Sequence, residues 1–129
     1  MKNKQTTADG WEIIDVYTRA QAIEDGFLIE CPDDVRHEAG IKFPVAFTNS
    51  VWNIIETTAE KNKETIDWVI WDVFTMFKFY LQNGIKQDRD SNMLLFKVNF
   101  QGEDKVLKSI IGPGDTMEPV ITIMLPTED

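Results

Sequence analysis

The amino-acid sequence predicts an α+β domain in which a three- or four-stranded, mainly antiparallel sheet packs against two helices. One observation is the tail run Val120–Leu125, whose β-branched and apolar residues lie between two prolines, as is typical of a buried strand. The other is an apolar stripe with helical spacing over about residues 64–83, which indicates a long amphipathic helix. The order of the strands does not follow from the sequence.

Two short helices are predicted in the first forty residues. Thr18 and Gln21 have the spacing of a capping box, and Gly26 supplies a left-handed stop, so residues 18–26 form the first helix. Residues 32–40 form the second, which has carboxylates in its first turn and a glycine at its end. We expect both helices to pack at the margin of the sheet.

Two longer helices are predicted to cover one face of the sheet, over about residues 48–60 and 64–83. Thr48 is the expected N-cap of the first of these. The segment 43–47 is apolar but contains Pro44, which cannot donate to a strand ladder. We therefore expect that segment not to be a central strand.

A C-terminal meander accounts for most of the predicted sheet. Residues 92–100 alternate between apolar and polar side chains and form its first strand. Residues 101–104 are the hairpin connection, and residues 105–111 form the second strand. The turn at 112–115 leads into the tail strand, whose open amide row could pair with another chain if it lay at a sheet edge.

Length and composition indicate one domain spanning residues 1–129, with the polar residues 1–10 frayed. The apolar runs are too short for a transmembrane helix, and the first residues lack the apolar core of a signal peptide. We expect a cytoplasmic protein without membrane contact. The sequence does not indicate an oligomeric state.

The charge balance is acidic, with 22 acidic and 13 basic residues and a net charge of −9. Such a surface repels phosphate, so nucleic acid is not an expected partner. Residues 1–40 carry nine acids and four bases, including Asp33 and Asp34 at a helix start predicted to be solvated. The excess either keeps the protein soluble or forms a surface that occupies a basic groove on another protein.

The residues that could carry catalysis or bind a metal have an ordinary structural interpretation. Asp33, Asp34 and His37 have helical spacing for two metal ligands, but no third ligand is indicated, so no metal or other cofactor is expected. Cys31 has no flanking nucleophile signature. The turn at 112–114 lacks the lysine of a phosphate loop. None of the serines has a nucleophile-elbow context (Ser50, Ser91, Ser109).

The predicted long helix carries a second stripe of large side chains opposite its core face. Trp68, Asp72 and Phe79 lie along this stripe, and Trp71 lies beside it. Such a helix is either enclosed within its own domain or carries an interface. We favour enclosure, because most large aromatic side chains lie in protein interiors.

Two segments, VYTRAQAIEDGFLIE at 16–30 and GPGDTMEPVITIMLPTED at 112–129, resemble the ends of an uncharacterised family of small bacterial proteins. FPVAFTNSVW at 43–52 and the Trp71-Asp72 pair are also similar to that family, many of whose members come from phages, plasmids and other mobile elements. The resemblance implies no activity and no catalytic residue. Helix caps and turns explain several of the shared positions but do not explain Arg19, Asp72 and Glu118. These three residues are candidates for a buried ion-pair network or a binding site.

Two functional hypotheses follow. In the first, the chain is a non-enzymatic binding protein of a mobile element that acts on a host protein, for example in counter-defence, through its acidic surface. In the second, it is a small-molecule-binding protein or enzyme with a pocket near Tyr17, Arg19, Asp72 and Glu118. The candidate binding residues are Arg19, Asp33, Asp34, Trp68, Trp71, Asp72, Phe79 and Glu118.

Overall fold

The computed structural model describes residues 4–6, 12–14, 17–83 and 92–128. In chain order the elements are β1 Lys4–Thr6, β2 Glu12–Ile14, α1 Arg19–Glu24, β3 Leu28–Glu30, α2 Asp33–Glu38, β4 Val45–Thr48, α3 Asn49–Lys61, α4 Ile66–Gln82, β5 Met93–Asn99, β6 Asp104–Pro113 and β7 Pro119–Met124. Most of the predicted frayed segment 1–10 and most of the predicted loop 87–92 lie outside the described residues.

The main sheet has five strands in the order β3-β4-β7-β6-β5. β4 and β7 are parallel, whereas the other neighbours are antiparallel. The α+β class and the C-terminal meander are therefore confirmed, but the prediction of three or four mainly antiparallel strands is replaced by five strands in a mixed sheet. β7 is the central strand, so the tail strand has no open edge to offer another chain. β1 and β2 form a separate antiparallel pair.

The prediction that residues 43–47 do not form a central strand is wrong. β4 lies inside the sheet, between β3 and β7. Pro44 precedes the first residue of the strand, so its missing N–H removes no bond from the ladder. The Pro44 carbonyl instead accepts the N–H of Ile121 at 2.8 Å, which extends the pairing with β7 by one bond.

The hydrophobic core lies between one face of the sheet and the helices α3 and α4. Phe47 on β4 stacks on Phe74 of α4 with ring centroids 6.0 Å apart, and Phe77 meets Phe96 of β5 edge to face at 5.5 Å. All four rings are buried. Because truncation of a buried phenylalanine to alanine costs about 3–5 kcal/mol, these two pairs contribute strongly to holding α4 on the sheet.

The helix boundaries agree with the sequence to within about two residues. Thr48 accepts the N–H of Val51 at 3.4 Å at the start of α3, so the predicted N-cap is confirmed. α4 begins after Thr65, whose hydroxyl accepts the N–H of Trp68 at 3.3 Å. The glycine predicted to end this helix, Gly84, lies outside the described residues. No helix in the described ranges is both long and apolar enough to cross a membrane.

The second face of the sheet is crossed by the C-terminal tail. Lys108 on β6 is buried, and its Nζ donates to the carbonyl of Pro126 at 3.2 Å and to the carbonyl of Glu128. The Glu128 carboxylate accepts the hydroxyl of Thr48 at 2.9 Å and the N–H of Leu125 at 2.8 Å. These bonds fix the last described residues against β4 and β6.

Candidate functional site

The start of α1 is capped by a residue from the opposite end of the chain. Asp115, in the turn between β6 and β7, accepts the N–H of Arg19 through Oδ1 at 2.9 Å and that of Ala20 through Oδ2 at 3.0 Å. Thr18 Oγ1 accepts the N–H of Gln21 at 3.0 Å, and Gln21 Oε1 accepts that of Thr18 at 2.9 Å. The predicted capping box is confirmed, and all three amides of the first turn have acceptors.

Asp115 thus serves as the anion at this helix N-terminus. The hydrogen bonds from the Ala20 and Arg19 amides lower the pKa of the Asp115 carboxyl below its ordinary value of 3.8. A negative charge near the first turn of a helix is also favoured by the helix dipole. Because the chain supplies that charge itself, the start of α1 is not open to an external anion.

Arg19 connects α1 to the central strand. Its guanidinium is half-buried and donates from Nη1 to Thr122 Oγ1 at 2.6 Å and from Nη2 to the carbonyl of Ile121 at 2.9 Å. Burial lowers the pKa of Arg19, while the nearby charge of Glu30 counteracts that shift. In the described part of the chain, no carboxylate lies within ion-pair distance of this guanidinium.

Glu118 takes part in the turn that presents Asp115. The Glu118 carbonyl accepts the N–H of Gly114 at 2.6 Å, and its carboxylate accepts the hydroxyl of Thr116. A Cβ added at Gly114 would collide with the Glu118 carboxylate, which would have to move away, and would press on Val120. These contacts give Glu118 a structural role in the turn.

A cavity of about 560 Å³ opens where α1 meets the β6–β7 turn. Tyr17, Arg19, Gly112 and Thr122 are among the residues that border it. The Tyr17 hydroxyl donates to Asp25, and partial desolvation together with this bond raises the pKa of Tyr17 to about 12. The structure therefore brings Tyr17 and Arg19 to one cavity, and Glu118 is close enough to Arg19 to affect its pKa.

Asp72 does not join this cavity. It borders a separate depression of about 510 Å³ between α4 and the β5–β6 hairpin, with Thr75, Lys97 and Asp104 among its neighbours. Burial raises the pKa of Asp72, and the charge of Glu64 adds to the shift. The pocket expected near Tyr17, Arg19, Asp72 and Glu118 is thus divided between two places on the surface.

The aromatic side chains on the second stripe of α4 lie at the surface, so the interpretation that the domain encloses them is wrong. Trp68 is 63% exposed, Phe79 50% and Trp71 39%. The physical reason is that the sheet covers only the core face of α4, while the short helix α2 reaches only part of the opposite side. Large exposed aromatic side chains are typical of contact surfaces.

A groove runs between α2 and α4 along this exposed side. Its first part, which we call the α2–α4 groove, has a volume of about 450 Å³. The residues that line it are Val35, Glu38, Thr65, Asp67, Trp68 and Trp71. A second hollow of about 280 Å³ continues past Trp71 to Phe79. The Nζ of Lys78 donates to the carbonyl of Ala39 at 2.6 Å there, which ties α4 to the end of α2. The two hollows place Trp68, Trp71 and Phe79 on one continuous surface.

The two candidate carboxylates on α2 have different surroundings. Asp33 Oδ1 accepts a bond of 3.0 Å from Nη2 of Arg36, whose Nη1 donates to the carbonyls of Ile41 and Lys42. Asp33 is exposed, as the sequence suggested, but its partner Arg36 is buried. Asp34 is also exposed, and its carboxylate accepts the N–H of Val35 at 2.9 Å.

Two of the residues considered for catalysis, Cys31 and Ser109, are buried. Cys31 is 2% exposed, and burial raises the pKa of its thiol to about 12, so little thiolate is present at neutral pH. Ser109 is fully buried within the sheet. Within the described ranges, no three His, Cys, Asp or Glu side chains form a group that could hold a metal ion. Ser91 lies outside those ranges.

Sequence reasoning missed the contribution of α2 to the groove. Glu38 and Thr65 were not candidates, because their position beside Trp68 depends on how α2 packs against α4. The available signal was the helical spacing of Trp68, Trp71 and Phe79, which marks a second face but does not show what covers it.

Comparison with known proteins gives a family without an assigned activity. No curated protein and no solved structure matches this chain significantly. The model of a family described as "Family of unknown function (DUF6573)" matches residues 4–129, which is nearly the whole sequence. The chain belongs to this family of unknown function.

Proposed function

We propose that the protein is a non-enzymatic binding protein that contacts another protein through the α2–α4 groove. The observation that carries this proposal is the exposure of Trp68, which leaves 63% of a large aromatic side chain in water beside a second exposed tryptophan, Trp71. Burying such side chains in an interface removes apolar area from water at about 25 cal/mol per Å². Tryptophan is also enriched among the few residues that dominate binding energy.

The charges around the groove favour a basic partner. Glu38 and Asp67 line it, and Asp34 lies exposed on the same helix as Glu38. The net charge of −9 adds a long-range attraction for a positively charged surface. Electrostatic complementarity of this kind raises the association rate and selects among partners, while the aromatic contact supplies most of the affinity.

The expected partner is a host protein. The resemblance to proteins of phages, plasmids and other mobile elements supports a role between such an element and its host, and a basic groove on a nucleic-acid-binding defence protein is the kind of target that an acidic surface fits. This role in counter-defence rests on the resemblance and on the charge together.

The test is capture of the partner by wild-type protein and by matched variants. Trp68→Ala combined with Trp71→Ala removes both indoles of the groove, whereas Phe27→Ala removes an exposed aromatic ring elsewhere, 57% exposed beside α1. A specific partner should be retained by the wild type and by Phe27→Ala and lost with the double variant, provided that all three melt as folded domains. Equal retention by the double variant would contradict the proposal.

A second candidate function is binding of a small anionic molecule in the cavity beside Tyr17 and Arg19. The observation in its favour is the half-buried guanidinium of Arg19, which borders a 560 Å³ cavity and, among the described residues, has no carboxylate within ion-pair distance. Thermal-shift screening of small carboxylates and phosphates against wild type and Arg19→Gln tests this. A stabilising ligand whose effect disappears in Arg19→Gln would establish the site.

A further inference from the structure

From the lining of the α2–α4 groove we infer that its ligand is an arginine side chain on the surface of the partner protein. The inference rests on the proposed function and specifies the chemistry of the contact. Both charged residues of the lining, Glu38 and Asp67, are acidic, and the aromatic residues are the two exposed indoles of Trp68 and Trp71. A groove of carboxylates and aromatic faces is complementary to a cation.

The protein does not supply this cation itself. Among the described residues, no basic side chain forms an ion pair with Glu38 or Asp67. The two long cations on these helices, Arg36 and Lys78, have other partners, since Arg36 is bonded to Asp33 and to two carbonyls, and Lys78 donates to the carbonyl of Ala39. The two carboxylates therefore remain available to an external donor.

Arginine fits this lining better than lysine. A guanidinium is planar, so it can stack on an indole while its N–H groups donate to carboxylates in the same plane. It is also less strongly hydrated than an ammonium group, which lowers the cost of entering a partly enclosed site. The volume of about 450 Å³ lies within the range of roughly 300–1,000 Å³ that is usual for small-ligand pockets, so one side chain can enter it.

The test uses the side chain without its protein. N-acetylarginine methylamide is titrated into ¹⁵N-labelled protein, with N-acetylcitrulline methylamide as a neutral ligand of the same shape. The indole N–H signals of Trp68 and Trp71 report on the groove, and that of Trp52, which packs against the buried Phe47, serves as internal reference. We expect the arginine compound to shift the two groove signals at roughly millimolar concentration, because a single side chain makes few contacts. The citrulline compound should bind at least several-fold more weakly.

Charge variants locate the contact. Glu38→Gln with Asp67→Asn should weaken arginine binding about tenfold or more, whereas the control pair Glu24→Gln with Glu56→Gln changes net charge equally at exposed positions outside the groove and should leave it intact. Asp67→Glu keeps the charge and should retain binding. An unchanged Trp52 signal confirms that each variant is folded.

Three results would overturn the inference: no shift at Trp68 and Trp71, equal binding of the citrulline compound, or undiminished binding by the Glu38→Gln and Asp67→Asn variant. Binding of N-acetyllysine methylamide as tight as that of the arginine compound would overturn the choice of arginine. These outcomes are distinct from failure of the proposed function. If partner capture still depends on Trp68 and Trp71, the groove is a protein-binding surface with a different ligand.

Discussion

The carboxylate of Asp115 accepts the backbone N–H of Arg19, a residue 96 positions earlier in the chain, at 2.9 Å. This bond joins the turn before the central strand to the first turn of α1. The side chain of Arg19 then returns to that strand, where it donates to Thr122 and to the carbonyl of Ile121. The segment that carries α1 and the segment that carries β7 are thus in direct contact.

Replacement of Asp115 by asparagine should lower stability in a pH-dependent way. The folded pKa of Asp115 is depressed, so its ionised form contributes stability that is present above the ordinary pKa of 3.8 and is lost as pH falls through the folded pKa. At pH 7 the melting temperatures of wild type and Asp115→Asn should therefore differ by roughly a few degrees. The two should converge once the pH falls below the folded pKa of Asp115. A difference that stayed constant down to the lowest pH would contradict this account.

The capping box gives a second prediction. Thr18→Ala should lower the unfolding free energy by about 1 kcal/mol, because the Gln21 amide loses its acceptor. Gln21→Ala removes the reciprocal bond to the Thr18 amide. The double variant should lose less than the sum of the two single losses, as measured by denaturant unfolding. Strictly additive losses would mean that the two bonds do not act together.

Contacts within one helix turn could be predicted from the sequence, and contacts between distant segments could not. The bond between Thr18 and Gln21 was predictable because it depends on a spacing of three residues. The bond between Asp115 and Arg19 was not, because it requires the position of the β6–β7 turn relative to α1. The same limit applies to the parallel pairing of β4 with β7, which joins segments far apart in the chain.

The sequence indicated which residues of the candidate site to consider, but it did not indicate how exposed they are or what they contact. Hydrophobicity favoured burial of Trp68 and Trp71, and they are exposed because the helix has a covered face only toward the sheet. Arg19 was singled out as a residue that caps and turns do not explain, and its guanidinium binds the central strand. Its bonding partners are a hydroxyl and a carbonyl, and no sequence spacing specifies such neutral acceptors.

A buried hydroxyl gives a third prediction. Ser109 is fully buried on β6, and its Oγ has no hydrogen-bond partner within the described part of the chain. Ser109→Ala should raise the unfolding free energy by about 1 kcal/mol, because an unpaired hydroxyl no longer has to be desolvated. Thr122→Val is the matched control, since that hydroxyl accepts from Arg19 and its loss should destabilise. Loss of stability in Ser109→Ala would show that the hydroxyl is bonded.

The raised pKa of Asp72 gives a fourth prediction, with the opposite pH dependence to that of Asp115. Burial penalises the charged form of Asp72, so the folded protein holds this proton more tightly than the unfolded chain and loses stability as pH rises from 3.8 through the folded pKa. Asp72→Asn should therefore stabilise the protein at pH 7 and should have no such effect below the ordinary pKa. Glu56→Gln on α3 controls for removal of one exposed charge. A destabilised Asp72→Asn variant would instead indicate that the carboxylate has a favourable partner.

The last prediction concerns charge reversal around the groove once a partner has been captured. Asp34→Lys and Asp67→Lys should slow association, because both carboxylates are exposed on the α2 and α4 helices that form the groove. Asp33 is not reversed, because its carboxylate neutralises the buried Arg36 and its loss would test folding rather than steering. Raising salt should slow the wild type in the same way, since the screening length falls from about 10 Å at 0.1 M to about 3 Å at 1 M. If the association rate measured by stopped flow responded neither to salt nor to these reversals, the contact would depend on the aromatic residues Trp68 and Trp71 alone.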